Sequence, residues 1–181
     1  MSGDQSSNNH ISNRSHWESI LIQASGLGLA VSAESMKRLQ YCLQWLSYAQ
    51  STIHYQISLL RNLIHNLQTN PSDQMHAESL LRMKNEIFST VQKAIEVIST
   101  YAGAALPVQA RAVVRKTVLA LPEKVAARQN FERGEQGLQD AAEKVLSFAV
   151  EGVDVLDGVA RVVGESIEKA DAYVSSSLCH A

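Results

Sequence analysis

Cysteine is nearly missing from this chain, with two in 181 residues, Cys42 and Cys179, far apart in sequence. They make neither a disulfide framework nor a zinc cluster, and they fit a reducing compartment. Proline is almost as scarce, at three residues, and glycine reaches only nine, so long stretches pass without a helix breaker. Neither sign of charge dominates: 16 basic against 18 acidic residues leave a net charge of −2 and a pI near 6.3. That balance argues against gripping a nucleic-acid backbone through overall charge, so direct DNA binding is not expected. No apolar run approaches the roughly 18 residues of a membrane span. The polar, Ser/Asn-rich start has no signal-peptide core. The sequence therefore reads as a soluble, intracellular protein, with a disordered tail over 1–14 ahead of a single helical domain over 15–178. Its hydrophobic content of 45% suits one compact core.

Catalytic signatures are lacking too. The six histidines form no HExxH, and the cysteines form no CxxC. His54 and His65 share a helical stretch but stand roughly 16 Å apart along its axis, too far for one metal ion. Gly26 and Gly28 follow no strand and precede no Lys-Ser/Thr pair, so they read as a helix-breaking connection, not a phosphate loop. No catalytic residue, metal or cofactor is assigned, and no enzyme is expected.

What is present is helical periodicity. Met36, Leu39, Leu43, Leu46, Ile53, Ile57, Leu60, Ile64 and Leu67 recur at steps of three and four, interrupted only by Gln50. That is one face of a long helix. Tyr41, Trp45, Tyr48, Tyr55, Leu59 and Leu63 make a second stripe, which predicts a wider buried face. Ser32 is placed to cap this helix, with Glu34 in its first turn. A short helix is expected over 15–24, and Asn70, Pro71 and Ser72 punctuate the way to a second long helix ending near Gly103. Pro107 and Pro122 each open a shorter helix in this reading, 127–137 is a loop or shortened insert, and a last helix runs from about Leu138 to Val174. The expected fold is all-α: an elongated antiparallel bundle of three long helices and two or more short ones.

Charge is unevenly placed along this frame. Residues 1–106 hold seven bases and seven acids, 107–133 six and two, and 134–181 three and nine, giving 0, +4 and −6. In the middle segment Arg111 and Arg115 lie one turn apart with Lys116, Lys124 and Arg128 nearby, a candidate ridge for a lipid phosphate or acidic peptide. The plainer alternative is a solvated face paired with the acidic last helix. In that helix Glu151, Asp154 and Glu165 belong to an acidic stripe, and Phe148, Val155 and Val162 to an unusually wide apolar face. Such a helix is either inserted between two others or open to a partner helix. The second option makes these six residues candidate partner-binding positions.

Three stretches, 24–46 (ASGLGLAVSAESMKRLQYCLQWL), 100–124 (TYAGAALPVQARAVVRKTVLALPEK) and 143–174 (EKVLSFAVEGVDVLDGVARVVGESIEKADAYV), resemble the fungal overproducer-of-inositol repressor family, which includes an alkane-responsive yeast relative. The resemblance implies transcriptional repression of phospholipid-synthesis genes. It implies binding of a basic helix-loop-helix activator through the C-terminal region, and a corepressor. It also implies retention at the endoplasmic reticulum by anionic lipid (phosphatidic acid or phosphoinositides) and a receptor protein, with release to the nucleus. The 143–174 stretch is the part that corresponds to activator contact. The family's Lys/Arg-rich lipid-binding stretch and its acidic motif with two phenylalanines have no counterpart here, because Phe88, Phe131 and Phe148 stand apart. Two rivals to activator binding remain: anionic-lipid sensing by the domain itself, and a homodimeric scaffold built on the heptads of 36–67.

Overall fold

A computed structural model describes residues 32–69, 74–129 and 137–178, without the side chains of 122–129, 173, 174, 177 and 178. Four helices account for nearly all of it, and no strand occurs among the described residues. They are α1 (Ala33–Thr69), α2 (Gln74–Val97), α3 (Val108–Gln129) and α4 (Leu138–Leu178). The all-α expectation holds. The expected helix over 15–24, the tail and the connection through Asn70–Ser72 lie outside the described residues, as does 130–136 of the expected loop.

α1 starts where its cap dictates. The Ser35 backbone N–H donates to Ser32 Oγ at 3.1 Å, and the Met36 N–H donates to the Ser32 carbonyl at 2.9 Å. The first satisfies a donor that the first turn leaves without a helical partner, and the second is the opening rung of the helix. Its buried line is Leu39, Cys42, Leu46, Ala49, Ile53, Ile57, Leu60, Leu63 and Leu67. The centre is shifted slightly from the leucine heptad, since small Cys42 and Ala49 are sealed while Leu43 and Ile64 are half-buried. Small side chains let a neighbour approach, and α4 is the helix packed most extensively on α1, followed by α2.

Contacts fix the directions. Gln50 on α1 meets Asp157 on α4, and Leu43 lies against Gly164, so these two helices run oppositely. Phe88 on α2 stacks on Phe148, and Val91 lies against Gly152, so α2 and α4 run the same way. α4 is therefore covered by both α1 and α2.

α2 does not end at Val97. It continues through a π turn, Ile98–Ala102, in which the Gly103 N–H donates to the Ile98 carbonyl five residues back, and then one α turn, Gly103–Ala105. Leu106 is extended at ψ 147°, as the residue before a proline must be. Pro107 supplies the first carbonyl of α3, accepting from the Arg111 N–H at 2.8 Å. At Pro122 the expectation fails. α3 is a single helix of 22 residues that runs through this proline instead of restarting at it. The ring removes one N–H donor, which leaves the Val118 carbonyl without that bond. α4 likewise runs past Val174, to Leu178.

Cys42 shows what the core does to an ionisable group. Burial pushes its thiol up to about 12, so it is protonated and unreactive at neutral pH. An unfolded cysteine titrates near 9, so its contribution to stability is fully present below pH 9 and is lost as the pH rises toward 12. Between those limits the loss is about 1.4 kcal/mol per pH unit, because the unfolded state releases a proton that the folded state keeps. Urea titrations over this range should show a shallower decline for Cys42→Ala than for the wild type. Equal slopes would show that the thiol contributes nothing.

Candidate functional site

The six positions singled out on the last helix divide in the structure. Phe148 is 1% exposed and Val162 2%, and the Phe148 ring sits 4.7 Å from the Phe88 ring, centroid to centroid. Both belong to the core, which corrects their assignment to an open apolar groove. The physical reason is that α1, α2 and α3 all pack on α4, which needs an apolar face wider than a single neighbour would. Val155, Glu151, Asp154 and Glu165 are half-buried and border the outer side of α4.

That outer side is acidic but partly balanced. Each α4 base lies one turn from an acid of the same helix: Lys144 to Asp140 at 2.7 Å, Arg161 to Asp157 at 3.4 Å and Lys169 to Glu165 at 3.9 Å. Exposed pairs at this spacing stabilise by only a few tenths of a kcal/mol, so they arrange charge more than they hold the fold. Asp157 Oδ1 also accepts from Gln50 Nε2 at 3.3 Å, tying the ridge to α1.

The basic candidates divide as well. Arg111 Nη2 donates to the carbonyls of Ala104 (3.1 Å) and Leu106 (3.0 Å). The guanidinium therefore holds the corner between α2 and α3, where the helix end leaves carbonyls without partners. Arg111 remains exposed, one turn from Arg115 on the same helix, with its Nη2 engaged at that corner. Arg115 and Lys116 are exposed. The side chains of Lys124 and Arg128 lie outside the described residues. One more feature accompanies the exposed bases: Val108 and Leu119 stand 76% and 56% exposed. At helical spacing Val108, Ala112, Arg115 and Leu119 share one face.

The second stripe of α1 is the clearest departure from expectation. Leu63 is buried and Trp45 and Leu59 are half-buried, but Tyr41, Tyr48 and Tyr55 stand 46%, 63% and 62% exposed. The described neighbours of α1 occupy its leucine side and leave this one open. Two of the tyrosines hold other rings: Tyr41 lies 4.5 Å from Tyr101 of the π turn, and Tyr48 lies edge-on to Trp45 at 6.0 Å. Composition hides this exposure, because residues 39–60 contain no Asp, Glu, Lys or Arg and such a stretch reads as buried. Gln, Ser and Tyr supply the outward positions instead.

Among the described residues no group of three or more His, Cys, Asp or Glu is placed to hold a metal ion, and no helix is long and apolar enough to cross a membrane. The described surface thus offers ridges and faces, with aromatic, acidic and basic stretches on separate helices. A helical chain of this order is matched over residues 1–134 by the profile described as Transcription factor Opi1. The chain belongs to the Opi1 transcription factor family. The Opi1 match takes in α1, α2 and α3, and α4 follows it. Among curated proteins, Transcription factor ccg-8 of Neurospora crassa is 23% identical across 85% of this chain. The chain spans 27% of the length of that relative. No solved structure matches the chain significantly.

Proposed function

We propose that this bundle is the interaction domain of a nuclear transcriptional repressor, and that the outer side of α4 receives a helical segment of a basic helix-loop-helix activator. The observation that carries the reading is the charge of α4, which holds eight acids against three bases. Glu151, Asp154 and Glu165 stand there beside half-buried Val155. An amphipathic segment with basic side chains would find complementary charge along the ridge and a narrow apolar strip between. Corepressor recruitment, lipid-dependent retention at the endoplasmic reticulum and control of phospholipid-synthesis genes belong to the same proposal for the full-length protein. In a calorimetric titration with the activator segment, Glu151→Lys/Asp154→Lys should weaken affinity by at least about tenfold with the thermal melt preserved. Unchanged affinity would remove α4 as the contact.

A second reading rests on the exposed face of α3, where Val108 and Leu119 accompany Arg115. Apolar side chains beside bases are what an anionic membrane surface attracts. In this reading the wild type floats with phosphatidic-acid liposomes, and Leu119→Glu/Arg115→Glu does not. Absence of wild-type flotation would dispose of it.

A further inference from the structure

The tyrosine face of α1 is evenly spaced about its own centre. Tyr41, Tyr48 and Tyr55 recur every seven residues, and Tyr48 stands midway between the other two. We propose that this ridge pairs with the same ridge on a second copy of the chain, antiparallel and two-fold about Tyr48. Such an axis sets each Tyr41 against Tyr55 of the second copy, and Tyr48 against itself. Stacking between tilted aromatic rings adds to the area they bury.

Charge supports a second copy as the occupant. A surface that meets itself must oppose its own charges, and any ion at the contact must lose its hydration. Residues 39–60 carry no Asp, Glu, Lys or Arg, so α1 itself brings neither cost to the ridge, and the Lys93 ammonium of α2 that reaches the Tyr41 end is paired with Glu96 at 2.8 Å. The nearest α1 charges, Glu34, Lys37 and Arg38, come opposite Asn62, Leu59 and Ser58 about the same axis, and Arg38 is paired with Glu34 at 2.6 Å. A parallel in-register pair would instead place Lys37 on Lys37. The flanking hydroxyls are also satisfied within α1: Ser47 donates to the Leu43 carbonyl at 3.0 Å, Ser51 to Ser47 at 3.0 Å and Ser58 to His54 at 3.2 Å. Covering these three serines strands none of their hydroxyl donors.

Size sets the strength. The exposed parts of the three tyrosines amount to roughly 350 Å², taking the area an aromatic side chain carries. That is somewhat less than half of the ~800 Å² per partner in a stable specific interface. With Gln44, Ser51 and Thr52 adding to the contact, the dimer should dissociate in the micromolar range. This pairing is independent of the acidic ridge on α4 and uses a different helix.

Sedimentation equilibrium of the whole chain, from low to high micromolar concentration, should show a monomer–dimer equilibrium. Tyr48→Lys puts two ammonium groups face to face on the axis and should raise the dissociation constant at least about tenfold. Its circular dichroism melt should stay at the wild-type value, since the side chain is exposed. Register is read by cross-linking in a Cys179→Ser background, with Cys42 buried. Under copper-phenanthroline oxidation Tyr48→Cys should join to itself, whereas Tyr41→Cys and Tyr55→Cys should join only when mixed. A monomer at every concentration, a dimer indifferent to Tyr48→Lys, or Tyr41→Cys joining to itself would each overturn the proposal.

Discussion

Phe148→Ala should cost about 3–5 kcal/mol of folding stability, the usual loss when a buried aromatic side chain is removed and its cavity only partly closes. The residue is 1% exposed and its ring meets that of Phe88, so α2 and α4 lose their aromatic contact together. A domain of this size has roughly 5–15 kcal/mol in all, and the variant should be partly unfolded well below the wild-type melting temperature. Urea denaturation measures the loss directly. Phe148→Leu keeps most of the volume and should remain folded. If the side chain were instead a partner contact, Phe148→Leu would bind the activator segment poorly while Phe148→Ala stayed stable.

Val162→Asp and Val155→Asp should differ sharply although both place a carboxylate on the same helix. Val162 is buried, and an unpaired charge there should cost more than about 4 kcal/mol. Val155 is half-buried at the edge of the outer side, where the carboxylate keeps part of its hydration and the cost should stay below about 2 kcal/mol. The buried carboxyl would have its pKa raised by desolvation, so the gap between the two variants should narrow as the pH falls and the Val162→Asp side chain takes up its proton. Equal losses at pH 7 would mean that the two sites are equally covered.

Those two valines also show where sequence reading stops. Periodicity locates α4 to within a few residues and identifies its apolar face, because a repeat of three and four is a property of the chain alone. It does not say how much of that face its neighbours cover, since that depends on how α1 and α2 pack around it. The same limit explains the tyrosines. Tyr41, Tyr48 and Tyr55 lie next to a leucine stripe and share its spacing, yet the helices packed on α1 suffice to bury the leucines and leave the tyrosines at the surface. Ser32 was legible as a cap because that chemistry is local. The role of Arg111 was not, because its acceptors exist only once Leu106 turns the chain and turns the carbonyls of Ala104 and Leu106 toward it. Pro122 misleads for a different reason: a proline forbids one hydrogen bond, and the turns on either side are enough to carry the helix across the gap.

The opposed course of α1 and α4 has one more effect. With Leu43 beside Gly164, the first turn of α1 and the closing turns of α4 lie at the same end of the bundle. A polypeptide that enters this module therefore leaves it by the same door. Such a unit can be spliced into a much longer protein without stretching the segments on either side, whatever those flanking regions carry.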